Sequence, residues 1–490
     1  MGSLSPILCS LAGLALILSA SDARAQTFTE ALTAAYRSNP RLLAERERVK
    51  EADETWVQAR AQGRPSVGAS FTATPTVVRA PVADFGVPGV DAPDAGSGTT
   101  SVVSRQAGLE IIQPIYQGGR VRAQKRQAEA GILAAREAMR DVEQTVLQQA
   151  ADAYAAVVRD EQAALIRRAN VRVLMRQGEA AGVRFDVGVG TRTDIALADT
   201  RLALARIGLA QAEADLASSR AAFERVVGTP PQQLGGVPRF VLPDTLSAAV
   251  DIALAANPLL RQSYLNQSAA DAGVDVAKSA GRPQVSLNGQ LAVLREQLNA
   301  LSRAEAAQVT AQLTIPIFAG GANRSRVRQA KHARNRARFE ARDAERLIRQ
   351  SVAELWARIE GARDSIAAAR TQVASAEIAF EGVELEQQVG TRTTLDVLDA
   401  EQELADARLA LVDAERARDA ATFQLLALLG AFDADSLDLP VDLYDPSLHF
   451  RRVRADDFSS VAQTLTGKGE PRDLELDAFS LQSAPLPPGE

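Results

Sequence analysis

The sequence predicts a mainly α-helical chain with a small β portion of the kind that sits in a membrane, and it predicts that this plan is written twice. Three observations carry the expectation. Blocks of identical residues recur at nearly fixed offsets, two proline-free stretches of about 70 residues have helical apolar spacing, and four runs of about ten residues alternate apolar with small polar side chains. Asn39-Pro40 recurs as Asn257-Pro258 and Gly63-Arg64-Pro65 as Gly281-Arg282-Pro283, both 218 positions later. Pro114-Ile115 followed by Gly118-Gly119 recurs as Pro316-Ile317 and Gly320-Gly321 at an offset of 202, so the first half carries 16 extra residues between these marks. The string VGTRT begins at Val189 and again at Val389, 200 positions apart. The expected organisation is a leader at 1–25, a first repeat at 26–243, a second at 244–432, and an acidic segment with a tail at 433–490.

At the N-terminus, the apolar run Ile7–Leu18 precedes Ala23-Arg24-Ala25, an A-x-A pattern that predicts a cleaved signal peptide ending at Ala25, although its n-region has no Lys or Arg. The run is too short to span a bilayer comfortably. Cys9, the one cysteine, lies within it and has no small residues of the lipidation type before it, so the mature chain has neither disulfide nor thiol chemistry. No later run reaches the ~20 apolar residues of a membrane helix.

Each repeat then opens on a helical stretch (27–62 and 245–280), ended at Gly-Arg-Pro because the residue before proline avoids the helical region. Two strand-like runs follow, expected at about 65–74 and 102–115 and at about 283–294 and 307–317. In the first, Val67, Ala69, Phe71 and Ala73 alternate with Ser66, Gly68, Ser70 and Thr72. Val285, Leu287, Gly289, Leu291 and Val293 alternate likewise, as do Val309, Ala311, Leu313, Ile315 and Ile317, whereas 102–115 is less clean, with Arg105 in phase with the apolar set. Apolar on one face and small-polar on the other over about ten residues is the pattern of a membrane barrel strand. A soluble sandwich hairpin would have larger inward residues and further strands. The first pair is joined by a Pro- and Gly-rich loop at roughly 75–100, the second by a shorter link near 295–305.

After each Gly-Gly a helical pattern runs to about 187 or 388, about 100 Å at 1.5 Å per residue. Met139, Val142, Val146, Ala153 and Val157, and again Val373, Ala376, Phe380 and Val383, have the spacing of coiled-coil seams. VGTRT breaks the pattern, which resumes with Leu395, Leu398, Ala405, Leu409 and Val412 and stops near Gly228 or Gly430. Each repeat thus contains a long helical hairpin (about 118–228 and 320–430) with its tip at 189–193 or 389–393, where Gly190 and Gly390 are expected to permit the turn. DADSLDLPVDLYD after Gly430 lacks calcium-loop spacing and reads as a collar, and from about 451 the chain reads as a disordered tail.

The composition excludes several functions. The 490 residues include only 21 aromatics (2 Trp, 5 Tyr, 14 Phe), too few for a set of ordinary globules, while small and helix-forming residues dominate. The net charge is -6 and no basic block is present, which argues against nucleic acid as a partner. Only His332 and His449 are available as histidines, and no HExxH, P-loop or GxSxG pattern occurs, so the chain is read as no enzyme, with no metal or cofactor. Gly118-Gly119 and Gly320-Gly321 read as strand-to-helix breakers. The functional candidates lie at the tips. Asp396 and Asp399 share a helix face at i,i+3. Their two readings are a functional carboxylate pair, or acids placed by the helix dipole and solvent.

The leader, the duplicated Asn-Pro/GRP/strand-pair/Pro-Ile-x-x-Gly-Gly unit and the twin VGTRT tips, above all VGTRTTLDVLDAEQEL, resemble the TolC family of outer-membrane channels over roughly 27–430. The resemblance implies a homotrimer in which each protomer lends four strands to a twelve-stranded barrel among outer-membrane lipid, continued by a periplasmic α-helical barrel. Four strands alone would leave edges bare in lipid, whereas three copies give an even number within the known range. The family implies that Asp396 and Asp399 ring the periplasmic entrance, that Arg392 latches it to a neighbouring hairpin, and that opening is a two-state movement. In the first repeat Asp199 matches Asp399, Ala196 matches Asp396, and Asp194 is displaced by two, so Asp194, Asp199 and Arg192 are all possible partners. Val189, Gly190, Thr191, Val389, Gly390 and Thr391 are the expected docking points for a periplasmic adaptor, which joins the channel to an inner-membrane ABC or proton-driven pump. The cargo is secreted protein, small molecules or both, and the missing lipid-anchor cysteine leans toward secretion or general use. The competing expectation is a periplasmic coiled-coil scaffold or adaptor without a pore, which a carbonate wash would release.

Overall fold

A computed structural model describes residues 26–80, 98–295 and 303–455. The expected signal peptide, most of both strand-connecting loops and most of the tail lie outside these residues. One element order appears twice. Helices α1 (Phe28–Ser38) and α2 (Pro40–Ala61), strands β1 (Ser66–Ala80) and β2 (Gly98–Gln117), and helices α3 (Arg120–Asp186) and α4 (Arg192–Val227) are followed by α5 (Leu246–Ala256), α6 (Pro258–Ser279), β3 (Gln284–Arg295), β4 (Arg303–Thr314), α7 (Ala322–Gln388) and α8 (Thr394–Leu428). A short α9 (Ser447–Ala455) ends the described chain. The described residues fall into two compact units, each drawn from both repeats: one holds 26–47, 133–270 and 332–443, the other 48–80, 98–132, 271–295, 303–331 and 444–455.

The opening stretch of each repeat is two helices rather than one. Asn39 is extended (φ -67, ψ 118), as a residue before proline must be. Its side chain repairs the break. Oδ1 accepts the Arg41 N–H at 3.0 Å, while Nδ2 donates to the Val226 carbonyl at 3.0 Å in the last turn of α4. Asn257 repeats the device, accepting from the Leu260 N–H at 3.0 Å and donating to Leu428 O at 3.0 Å in α8. The recurring Asn-Pro therefore ties the start of each repeat to the end of its returning helix. Left-handed glycines stop those helices, Gly228 at φ 88 and Gly430 at φ 73.

The core of the first unit gathers the scarce aromatics of both repeats. Phe28 lies 5.4 Å from Tyr154 edge-on, and Phe240 and Phe432 each pack against Phe423 with 5.8 Å between ring centres. Tyr154, Phe223, Phe423 and Phe432 are fully buried, each removing apolar area worth about 2–3 kcal/mol. Farther along the hairpins the packing is small: Ala181, Ala198 and Ala205 with Leu174 and Leu398 form one cluster, Ala376, Leu404 and Ala407 another.

In the second unit the four strands form one antiparallel sheet in the order β1-β2-β3-β4, with a register shift between Pro114 and Tyr116. The less regular 102–115 run is thus a strand of 20 residues. The register places Val67, Ile111, Gly289 and Val309 in one lateral row and Ala69, Leu109, Leu291 and Ala307 in the next. Val67 (64%), Phe71 (73%) and Val309 (74%) stand exposed, an apolar face that no other described residue covers. Among the described residues no helix is long and apolar enough to cross a membrane.

The expectation of an irregular tail from about 451 needs correction up to Ala455. Helix α9 docks on α2: His449 Nδ1 lies 3.1 Å from Asp53 Oδ2, and Phe450 packs edge-on against Trp56 at 5.8 Å. Arg454 and Lys125 sit over the same indole at 5.6 and 5.2 Å. A buried aromatic and a buried carboxylate on α2 supply the partners that the tail sequence by itself lacks.

Candidate functional site

Each hairpin tip is a five-residue link, 187–191 between α3 and α4 and 389–393 between α7 and α8. The backbone ladders match. Val187 N–H donates to Val183 O, Gly188 to Phe185 O and Val189 to Arg184 O, at 3.2, 3.0 and 2.9 Å. Val389 donates to Leu385 O, Gly390 to Gln387 O and Thr391 to Glu386 O, at 3.3, 3.0 and 2.9 Å. Equivalent positions are therefore 202 apart, while the identical letters are 200 apart. The two VGTRT strings lie two residues out of step in the fold.

That slip corrects the expected pairing of residues. The left-handed positions are Gly188 (φ 79) and Gly390 (φ 82), not Gly190 and Gly390. Gly190 is needed for a different reason: a Cβ there would sit 2.9 Å from the Phe185 nitrogen. The first threonine of the string caps α4, the second threonine caps α8. Thr191 and Asp194 form a reciprocal capping box, with Thr191 N–H to Asp194 Oδ2 at 2.9 Å and Asp194 N–H to Thr191 Oγ1 at 3.2 Å. Thr393 and Asp396 repeat it at 2.9 and 3.3 Å. The counterpart of Asp396 is thus Asp194 rather than Ala196, that of Asp399 is Leu197, and that of Asp199 is Glu401. Both cap carboxyls titrate below the ordinary range: Asp396 because it accepts the Thr393 N–H and then its hydroxyl, Asp194 because it accepts the Thr191 hydroxyl and then its N–H.

Arg392 stays within its own tip. Its Nε donates to Glu386 Oε2 at 2.8 Å, and half of its side chain is exposed. Thr391 Oγ1 donates to the Glu386 carbonyl at 2.9 Å. Val189 and Val389 project from the tips at 77% and 76% exposure, and Arg192 and Asp199 are exposed on α4.

The two hairpins of the chain are joined by contacts that the sequence reading did not single out. Arg201 of α4 donates to Asp399 Oδ1 at 2.6 Å. Arg184 of α3 reaches Gln387 Oε1 at 3.1 Å and Thr394 Oγ1 at 3.4 Å. Farther along α8, Asp406 meets Arg167 at 3.5 Å and Asp413 meets Arg159 at 2.7 Å. Asp399, Asp406 and Asp413 recur every seven residues, so they form one stripe along α8. That heptad of acids was the available signal, and its arginine partners on α3 and α4 could not be read from spacing. Between the rungs, Asn170 Nδ2 donates to Glu401 Oε1 at 3.2 Å; both side chains are buried, and burial pushes the Glu401 carboxyl up. Among the described residues no group of His, Cys, Asp and Glu could hold a metal ion. The site can present charge, clamp helices and meet another surface.

A family profile described as outer membrane efflux protein matches residues 31–229 and 249–431, the two repeats. The chain is 32% identical over 441 residues to outer membrane efflux protein BepC of Brucella suis, covering 89% of this chain and 92% of that protein. It is 25% identical over 340 residues to alkaline protease secretion protein AprF of Pseudomonas aeruginosa, covering 68% and 70%. In fold it resembles the crystal structure of the Campylobacter jejuni CmeC outer membrane channel, with a TM-score of 0.71, 16% identity and 89% and 90% coverage.

Proposed function

Because the chain belongs to the outer membrane efflux protein family and is the outer-membrane exit duct of an export system, we propose that three copies close one twelve-stranded barrel whose periplasmic entrance is formed by the hairpin tips. The observation that carries the proposal is the sheet. Among the described residues its order leaves β1 and β4 as free edges, and its apolar rows are bare. Unpaired edges in hydrocarbon cost several kcal/mol for each unsatisfied group, and pairing β4 of one copy with β1 of the next removes them.

At the entrance, Asp396 and Asp399 supply the acidic ring, and Arg392 exchanges Glu386 for an acceptor on an adjacent hairpin when the tips close. Asp194 is the first-repeat acid best placed as that acceptor, since it holds the position equivalent to Asp396. The exposed tips, two per protomer, dock a periplasmic adaptor that links the duct to an inner-membrane ABC or proton-driven pump. The relative named as an efflux protein supports small molecules as cargo, and the relative named for protease secretion supports exported protein.

Deletion of the gene tests the reading. If the duct carries small molecules, dye or drug accumulation in the deletion strain rises and returns to the parental level on complementation. If it carries protein, one or a few abundant proteins leave the culture supernatant without added lysis. A deletion strain unchanged in both assays, with a protein released from membranes by carbonate, would contradict the proposal.

A further inference from the structure

We infer that Arg201 is a specificity-determining residue of the duct, a built-in counter-charge that halves the acidity of the periplasmic entrance. The inference rests on the proposed role of Asp396 and Asp399 as the entrance acids. Counted from sequence, those two positions in three copies make a ring of six carboxylates. The structure does not leave six alike. Asp396 is turned back onto its own helix start, accepting the Thr393 N–H at 2.9 Å and the Thr393 hydroxyl at 2.8 Å. Asp399 has no such backbone anchor, and its Oδ1 is met by Arg201 Nη2 at 2.6 Å.

Three features make this pairing more than a chance surface contact. Asp399 is the first of the three heptad-spaced acids on α8, the one nearest the tip, and each of the three faces an arginine of the first hairpin. The pair also breaks the internal symmetry: the positions equivalent to Asp399 and Arg201 are Leu197 and Glu403, so the duplication contributes no second copy of it. Finally, the two side chains keep 54% and 35% exposure, so both charges remain open to solvent and to passing ions. A pair this exposed adds little to stability. Its consequence is electrostatic, because a ring of fixed charge at a constriction sets which ions pass.

The test uses the full-length protein in planar lipid bilayers under a KCl gradient, reading the K+ to Cl- permeability ratio from the reversal potential. Arg201→Gln removes one positive charge per copy, and the ratio rises roughly threefold to tenfold for three unit charges within one Debye length of the path. Asp399→Asn moves it the opposite way, and the double variant Arg201→Gln/Asp399→Asn returns to near the wild-type value because the net charge is restored. Arg201→Lys, which keeps the charge without the fork, leaves the ratio unchanged and separates a charge effect from a folding defect. An unchanged ratio in Arg201→Gln, or a double variant that fails to return, overturns the inference while the duct stands. A wild-type protein that conducts no ions overturns both.

Discussion

Replacing Glu401 with glutamine is expected to strengthen the seam between the two hairpins of the chain. Glu401 and Asn170 are 6% and 1% exposed, and the single hydrogen bond between them leaves Asn170 Oδ1 buried without a donor. A buried acceptor left unsatisfied costs about 1–3 kcal/mol. Glutamine keeps the acceptor for Asn170 Nδ2, adds an amide donor for Oδ1 and removes a desolvated carboxylate, so Glu401→Gln should stabilise the seam by about 1–2 kcal/mol near pH 7–8. Amide hydrogen exchange measures this locally. Protection around residues 165–175 and 396–406 should increase about 5- to 30-fold. The pH dependence has a definite sign. Burial raises the folded-state pKa of Glu401 above its unfolded value, so protonation stabilises the wild type as pH falls through the folded value, and that gain is complete below about 4.3. The advantage of the glutamine variant should therefore be largest at alkaline pH and shrink in acid, where the protonated wild-type carboxyl can itself donate to Oδ1. Equal or faster exchange in Glu401→Gln at pH 8 would refute the reasoning.

Other outcomes follow from the same geometry. Asn39→Ala and Asn257→Ala each remove both repairs of a helix break and should lower local stability at the α1/α2 or α5/α6 junction by about 1–3 kcal/mol, read as loss of exchange protection in the last turn of α4 or α8 respectively. Gly390→Ala places a β-carbon at φ 82 and should destabilise its tip by about 1 kcal/mol, whereas Gly190→Ala is disfavoured by the close Phe185 nitrogen; proteolytic nicking of each tip reports both. The capping carboxylates of Asp194 and Asp396 titrate below their unfolded value of about 3.9, so their contribution is complete above that pH and lost as pH falls through the folded values. Tip protection should drop only in that acid window, and Asp396→Asn should flatten the drop at the second tip. Arg392→Glu should raise pore conductance or alter transport if Arg392 latches the entrance; unchanged conductance together with unchanged transport would remove it from that role.

Much of this was legible in the sequence because a duplication repeats its punctuation. Gly-Arg-Pro, Gly-Gly and the alternating strands each act locally, through proline sterics, left-handed glycines and the two-residue period of a strand, so their recurrence marks the architecture directly. The tips show where such reading stops. Five identical letters align at 200, yet the helix starts at whichever threonine has an aspartate three residues on, and hydrogen bonding sets the register at 202. The break at Asn39 was open to the same pre-proline rule that ends the helix at Gly-Arg-Pro; what the sequence does not display is that the asparagine side chain ties the break to the last turn of α4. Arg201–Asp399 and Asn170–Glu401 depend on how one hairpin lies against the other, and the docking of α9 depends on Trp56 and Asp53, nearly 400 positions earlier. Pairings of that kind carry no local signal.

The most direct test of the account is the mass of the protein extracted from outer membranes in mild detergent and weighed intact by native mass spectrometry. The proposed twelve-stranded barrel pairs the edges of β1 and β4 between copies and so needs three chains per particle, and the account predicts a species of three times the mature chain mass that vanishes when proline is placed in β4 at Val309. A monomer, or a particle whose mass is not a multiple of three chains, would contradict the shared barrel.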